Sequence, residues 1–156
     1  MINVLFVCLG NICRSPMAEA IFRHQLQQAG LADEISVDSG GIGGWHVGEP
    51  PHKGTRTILD REKISYDGIR VRQVKKSDWE EFDYIIAMDD QNINDLKQIH
   101  AGNEHVMVKK LMEFVDQPKE RNVPDPYYTG DFEYTYELVS EGCSNLLSYI
   151  RSNHNI

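Results

Sequence analysis

The sequence has no run of apolar residues long enough for a membrane helix, which needs about 18 to 20 of them. Its apolar N-terminal run has no basic residues before it and no small-residue cleavage site after it, so we expect no signal peptide. Cysteine is scarce as well. The three cysteines are an odd number and do not make the disulfide framework of a secreted domain. We therefore expect a cytoplasmic protein, with export without a signal peptide left open.

Basic residues are outnumbered in this chain. It has 16 Lys and Arg residues against 24 Asp and Glu residues, which gives a formal net charge of −8. No basic stripe is visible, so nucleic acid is not an expected partner. If so acidic a chain binds an anion, the positive field that holds the anion must be local. With no internal repeat and no linker, the chain is predicted to form a single domain over residues 1–156.

Apolar residues follow a pattern in which strands and helices alternate. Short apolar runs predict four strands, at residues 2–7, 35–39, 82–88 and 105–111. Spacings of three and four predict helices at residues 15–29, 52–62 and 132–150, a short helix opened by a capping box at residues 77–80, and a helix capped by Asp89. Residues 116–130 are predicted to be a long loop. This order predicts an α/β three-layer sandwich with a central four-stranded parallel sheet.

The first strand leads directly into a loop that is suited to binding an anion. Residues 8–15 read Cys-Leu-Gly-Asn-Ile-Cys-Arg-Ser, and we name them the phosphate-binding loop. Ser15 is predicted to cap the next helix, so that the helix dipole and the N–H groups of the loop converge. Cys8, Ser39 and Asp89 each follow a predicted strand. They should therefore share the carboxyl edge of the sheet, where ligands bind in such folds.

Cys8 and Arg14 are the candidate reactive groups of this loop. A lone cysteine at a strand end is more often a packing residue, but here the loop N–H groups and the Arg14 guanidinium favour a nucleophilic thiolate. The planar guanidinium of Arg14 can donate hydrogen bonds to two phosphoryl oxygens and stabilise the charge that they carry in the transition state. A second role for Ser15 is to donate to the sulfur. Asn11 tolerates a left-handed backbone and is expected to tie the loop to Ser39.

A proton donor is expected far downstream, in Val-Pro-Asp-Pro-Tyr-Tyr around Asp125. The flanking prolines favour a rigid, extended arm in place of a helix. The carboxyl group of Asp125 would protonate an aryl leaving group and later accept a proton from water, so it must be protonated for the first step. Tyr127, Tyr128 and Trp45, the last in a glycine-rich loop, can wall a pocket for an aromatic ring. An ordinary proline-rich turn is the alternative interpretation.

The Cys-x5-Arg-Ser pattern, together with Asp-Pro-Tyr-Tyr at residues 125–128, resembles the low-molecular-weight protein tyrosine phosphatases over essentially the whole chain. The resemblance implies that Cys8 is the nucleophile, that Arg14 binds phosphate and supports the transition state, and that Asp125 is the general acid and base. It also implies a cysteinyl-phosphate intermediate that is hydrolysed without a metal or cofactor. Substrate contacts are then expected from Leu9, Gly10, Asn11, Ile12, Cys13, Ser15, Trp45, Tyr127 and Tyr128, with support from Ser39 and Asp89.

Three positions refine this comparison with the family. Ile69 stands where many relatives have a histidine that ties the loop asparagine and serine together, so the network around Asn11 is expected to be looser or closed by water. Ile12 stands where phosphoarginine phosphatases tend to have threonine, which favours phosphotyrosine as the substrate. Cys13 is either a packing residue or, as the resemblance supports, a partner that traps an oxidised Cys8 as a disulfide.

Other activities on the same scaffold stay open as alternatives. Arsenate reductase needs a further pair of reactive cysteines, whereas only Cys143 follows Cys13, on the apolar face of the last predicted helix. A phosphoarginine phosphatase and a non-catalytic phosphate-binding module are the others. The spacing of Cys8 and Cys13 fits no common zinc pattern, so no metal is expected. The expected partners are tyrosine-phosphorylated proteins, and the chain is expected to be a monomer with at most weak self-association.

Overall fold

The computed structural model describes residues 1–156, and its centre is a four-stranded parallel sheet. The strands are β1 (Ile2–Cys8), β2 (Ile35–Gly41), β3 (Tyr84–Ala87) and β4 (Met107–Lys110), in the spatial order β2-β1-β3-β4. The predicted parallel sheet is confirmed. The first strand lies between β2 and β3, so its carboxyl end, where Cys8 stands, is at the middle of the sheet edge and beside Gly41 of β2.

Helices cover both faces of the sheet and complete the predicted three layers. The helices are α1 (Arg14–Gln28), α2 (Lys53–Arg61), α3 (Asp78–Glu81), α4 (Asp90–Ile99), α5 (Pro126–Thr129) and α6 (Phe132–His154), with a 3-10 turn at Leu111–Phe114. Side chains of β1 alternate between two cores. Val4 and Phe6 pack with α1 and α6, whereas Leu5 and Val7 pack with Trp79 and the α4 side of the sheet. Because both faces are covered, the strand reads as one continuous apolar run.

Two of the predicted helix caps do not form. Helix α1 begins at Arg14 with Cys13 at the N-cap position, and no side chain caps it. The hydroxyl of Ser15 is instead engaged with the sulfur of Cys8. At α3 the capping box does not form, because Ser77 has helical backbone angles and makes no capping bond. The neighbouring Asp78 accepts a hydrogen bond from a backbone N–H and pairs with Arg72 instead.

Other boundaries differ by a few residues. The strand predicted at residues 105–111 is limited to β4, since the chain turns into the 3-10 helix directly after it. Ser39 lies inside β2 and not after it. The last helix runs on to His154, and the predicted loop at residues 116–130 contains the short α5. No helix in the chain combines the length and the apolar character that crossing a membrane would require.

Candidate active site

The phosphate-binding loop is held open by hydrogen bonds to its carbonyl groups. The carbonyls of Cys8, Leu9 and Ile12 accept from the backbone N–H groups of Ile42, Gly43 and His52. The N–H groups at positions 10–13 are used by no acceptor of the protein. Asn11 takes a left-handed conformation, with φ of 55°, at the centre of the turn. A loop whose carbonyls are tied outward and whose N–H groups are free is built to receive an anion.

Cys8 lies at the floor of this loop with its thiol almost fully covered, at 3% exposure. Its Sγ atom is 3.0 Å from the hydroxyl oxygen of Ser15 and 3.5 Å from the backbone nitrogen of the same residue. The hydroxyl oxygen of Ser15 already accepts from Asn11 Nδ2 at 2.8 Å. The Ser15 proton is therefore available to the sulfur, where it stabilises a thiolate.

Asn11 links the loop to the body of the protein. Its Nδ2 atom also donates to Ser39 Oγ at 2.9 Å, and its Oδ1 atom accepts from the backbone N–H of Arg72 at 3.0 Å. The expectation of a looser network was wrong, because both amide hydrogens and the amide oxygen of Asn11 are bonded to protein groups. Ile69 is buried in the main core and takes no part.

Arg14 connects three elements at the sheet edge. Its Nη1 atom donates to Asp89 Oδ2 at 2.6 Å and to the carbonyl of Val123 at 2.9 Å, and its Nη2 atom lies 3.3 Å from Asp125 Oδ2. The Nε atom has no partner in the protein although the residue is only 2% exposed. A buried, unpaired guanidinium N–H beside a free set of backbone N–H groups marks the position of an anionic ligand.

Asp89 and Asp125 each contact Arg14, and each also caps the start of a helix. Asp89 caps α4 by accepting from the backbone N–H of Asn92 at 2.7 Å, as predicted, and uses its other oxygen for Arg14. Asp125 has the predicted extended backbone, but Pro126 begins a helix instead of preventing one. Asp125 caps that helix by accepting from Tyr127 N at 3.1 Å, which fixes its carboxyl group beside the loop.

A cleft of about 350 Å³ opens above Cys8. We name its three exposed aromatic residues, Trp45, Tyr127 and Tyr128, the aromatic wall. The cleft is lined by Cys8, Leu9, Gly10, Ile12, Cys13, Asp125, His46 and the aromatic wall. The structure therefore brings together most of the predicted substrate contacts. Asn11 and Ser15 are the exceptions, since both are fully buried beneath the loop and do not line the cleft.

Sequence reasoning missed two residues of the site. His46 lines the cleft and its Nδ1 atom lies 2.8 Å from Glu49 Oε2. Its position beside Trp45 in the glycine-rich loop was the signal. Glu19 lies beneath the loop and accepts a hydrogen bond from Ser39 Oγ at 2.6 Å. A single carboxylate between two alanines on the buried side of α1 was the signal for Glu19.

The other thiols are both buried. Burial is the main cause that raises the pKa of Cys13 to about 12. The negative charges of Cys8 and Asp125 contribute to this rise, and the positive charge of Arg14 opposes it. Cys143 lies in the core of α6, where burial raises the pKa of its thiol, so it is not a reactive surface cysteine. Nowhere in the chain do three or more His, Cys, Asp or Glu side chains converge as a metal site would require.

The fold and the loop define a class of protein: α/β proteins with a Cys-x5-Arg loop at the carboxyl edge of a parallel sheet. A sequence profile of the family described as "Low molecular weight phosphotyrosine protein phosphatase" matches residues 3–155. The low molecular weight protein-tyrosine-phosphatase YfkJ of Bacillus subtilis is 54% identical over 151 residues, which cover 97% of each chain. PtpA of Staphylococcus epidermidis, a protein of the same description, is 51% identical over 156 residues, covering 100% of this chain and 98% of that one.

Solved structures agree with these sequence matches. The crystal structure of B. subtilis YfkJ superimposes with a TM-score of 0.95 at 53% identity, covering 98% of this chain and 96% of that one. The Drosophila arginine phosphatase DARP is more distant, at 31% identity and a TM-score of 0.87 over 95% and 97% of the two chains. The chain belongs to the low molecular weight phosphotyrosine protein phosphatase family.

Proposed function

We propose that this chain hydrolyses phosphotyrosine in proteins, and small aryl phosphates, with Cys8 as nucleophile, Arg14 as phosphate ligand and Asp125 as general acid and base. One observation carries the proposal. The Cys8 sulfur lies at the floor of a cleft that has free backbone N–H groups around it, Asp125 at its side and aromatic rings at its mouth.

The first step transfers the phosphoryl group to the protein. The free N–H groups of the loop and the guanidinium of Arg14 bind the three terminal oxygens, with the phosphorus in line with the sulfur. The Cys8 thiolate attacks, the S–P bond forms and the bond between phosphorus and the aryl oxygen breaks. Asp125 gives its proton to the departing oxygen. Phosphate in the cleft competes with Asp125 for Arg14, which releases the carboxyl group from the 3.3 Å contact with the guanidinium.

The second step hydrolyses the cysteinyl phosphate. Asp125 is now a carboxylate, and it takes a proton from a water molecule that attacks phosphorus. The P–S bond breaks and inorganic phosphate forms. The hydroxyl of Ser15, 3.0 Å from the sulfur, stabilises the thiolate as it leaves.

Phosphotyrosine fits this cleft better than the alternatives. Ile12 presents only apolar bulk to the stem of the substrate, and Trp45, Tyr127 and Tyr128 can pack on a phenyl ring. Phosphoserine is too short to reach the sulfur and the aromatic wall together. Arsenate reduction is disfavoured because Cys143, the last cysteine of the chain, is sealed in the core. Tyrosine-phosphorylated proteins are the proposed partners and the cytoplasm the proposed location, with the chain as a monomer.

A substrate panel tests the proposal. One peptide sequence is prepared with phosphotyrosine, phosphoserine or phosphoarginine at its centre, and kcat/KM is measured for each. We expect the phosphotyrosine peptide to be the best substrate, and rapid quenching in an alkaline denaturant to recover a phosphoryl group on Cys8. A higher kcat/KM for phosphoarginine would show that the proposed substrate is wrong. Arsenate turnover with thioredoxin at a matching rate would show that the proposed reaction is wrong.

A further inference from the structure

A buried carboxylate stands at the far end of the hydrogen-bond chain that reaches Cys8. Glu19 is on α1, five residues after Arg14, and is 8% exposed. Its Oε1 atom accepts from Ser39 Oγ, and Ser39 accepts from Asn11. The chain continues from Asn11 to Ser15 and from Ser15 to the sulfur. The mechanism given above does not use Glu19. Burying an ionisable group costs free energy, so a function for Glu19 is worth seeking.

The hydrogen-bond directions around the Asn11 amide follow from one backbone group. The N–H of Arg72 can only donate, so the atom of Asn11 that faces it must be the amide oxygen. The amide nitrogen therefore faces both serine hydroxyls and gives one hydrogen to each. Each serine hydroxyl oxygen thus accepts one amide hydrogen, and the hydroxyl proton of each serine remains to be donated. The proton of Ser39 points to Glu19. That of Ser15 points to the Cys8 sulfur when Cys8 is a thiolate, because a thiolate can only accept.

We propose that Glu19 is a positioning residue for the nucleophile, because it accepts the Ser39 proton and so keeps the Asn11 amide turned to direct the Ser15 proton at the Cys8 sulfur. Without an acceptor at Glu19, the Ser39 proton turns back toward the amide hydrogen of Asn11. The two donors then compete, and Asn11 loses one of the bonds that fix it at the centre of the loop. This inference rests on the proposed role of Cys8.

The charges around Glu19 are compatible with this task. Burial raises the pKa of Glu19 to about 7, the Ser39 hydrogen bond and the cations Arg23 and Arg72 oppose that rise, and Asp38 adds to it. A carboxyl group accepts through an unprotonated oxygen in either state, so Ser39 keeps its acceptor across neutral pH. The acceptor oxygen, and not the charge, is therefore what the chain requires from residue 19.

The test separates the acceptor from the space that the side chain fills. Glu19→Met keeps the length of the side chain and removes the acceptor, whereas Glu19→Gln keeps a carbonyl acceptor. The rate of Cys8 alkylation by iodoacetamide is followed against pH, with Cys8 resolved from Cys13 and Cys143 by peptide mass spectrometry. We expect Glu19→Met to move the midpoint of this profile up by about one pH unit and to lower kcat for an aryl phosphate about tenfold with KM unchanged. Glu19→Gln should restore both.

Two further variants check the path and the cost of substitution. Ser39→Ala alone should raise the midpoint as Glu19→Met does, which keeps the test decisive if the Met variant fails to fold, and Glu19→Met should add no further shift in that background. Thr135→Val removes another buried hydroxyl, one that bonds only within the start of α6. It should lower thermal stability comparably and leave the midpoint in place.

Three outcomes would overturn the inference: an unchanged midpoint in Glu19→Met, an equal shift in Glu19→Gln, or a full second shift in the Ser39→Ala background. The alkylation profile does not depend on turnover. A chain that lacks phosphatase activity but shows the Glu19 shift would reject the proposed function alone.

Discussion

The phosphate-binding loop and the aromatic wall meet at the same cleft and are built in opposite ways. In the loop, Cys8, Asn11 and Arg14 are all at most 3% exposed, and their polar atoms are held by several other elements. In the wall, Trp45 is 68% and Tyr128 is 75% exposed. The ring contacts of Tyr127 with His46, His52 and Tyr128 are tilted or edge-on, and none of them is a stacked pair.

This contrast separates chemistry from recognition. Donors that must meet a developing charge gain most when they are fixed before the substrate arrives, because no reorganisation is then needed during the reaction. Aromatic rings that bind the stem of a substrate gain from burying their own exposed surface on contact. Substitutions in the loop should therefore reduce kcat, and substitutions in the wall should increase KM.

The largest effect is expected from Cys8→Ser. A serine hydroxyl at this position lacks the thiolate, so kcat for p-nitrophenyl phosphate should fall by about 10⁵-fold. Inorganic phosphate should still bind, since the loop donors remain, and calorimetry can measure its Kd. Cys143→Ala is the matched control, because it removes a thiol from the core and should keep kcat. A serine variant that retained a tenth of the activity would show that Cys8 is not the nucleophile.

Asp125→Asn tests the junction between the two regions, and its effect should depend on the leaving group. With phenyl phosphate, whose leaving oxygen needs a proton, kcat should fall by about 10³-fold. With a dinitrophenyl phosphate the loss should be much smaller, because that oxygen leaves as an anion. Asp131→Asn is the control, since Asp131 caps α6 and asparagine caps as well. Equal losses for both leaving groups would argue against proton transfer by Asp125.

The next effect concerns stability beneath the loop. The folded-state pKa of Glu19, about 7, is above its ordinary value of 4.5, so the folded protein binds a proton that the unfolded chain has already released between these values. The stabilisation is complete below pH 4.5 and is lost as pH rises through 7. Relative to Glu19→Gln, the free energy of unfolding should fall by about 3 kcal/mol over that window.

Denaturant unfolding of the wild type and of Glu19→Gln at several pH values measures this difference directly. Both proteins carry the same other titrating groups, so their contributions cancel. A difference between the two proteins that stays constant from pH 4.5 to 7 would mean that Glu19 titrates normally in the folded state.

The smallest effect is expected in the wall. Trp45→Ala should raise KM for aryl phosphates about tenfold and leave kcat unchanged, with little change in thermal stability, because the side chain lies over Gly43 but is 68% exposed before substrate binds. Val47→Ala, an exposed apolar residue of the same loop, is the control and should change neither constant. A loss of kcat in Trp45→Ala would break the division between the two regions.

Much of this molecule could be predicted from its sequence because the signals are local. The four strands, the loop after β1 and the cap at Asp89 depend on neighbours within a few positions, and the structure confirms them. The family and its phosphatase class are confirmed for the same reason, because two short motifs carry the resemblance. The roles assigned to Cys8, Arg14 and Asp125 stay predictions, although the structure brings these residues together.

The failures arose where a partner brought close by the fold replaced the partner that the local pattern suggested. Ser15 has the residue type and position of a helix cap, yet its hydroxyl is bonded to Cys8 and to Asn11. The loss of a histidine at Ile69 suggested a weaker network. Instead, Glu19 and the Arg72 backbone, 20 and 61 residues from their partners, occupy the places around it.

The sequence by itself determined the reactive groups and the order of the elements, because a Cys-x5-Arg loop and apolar periodicity depend on spacing along the chain. Only the tertiary structure decided how those groups are oriented. Parallel strands bring Cys8, Ser39 and Asp89 to one edge, but which oxygen receives which proton depends on donors that meet across the fold. Hydrogen bonds are directional and short, and no pattern of residue types specifies a direction.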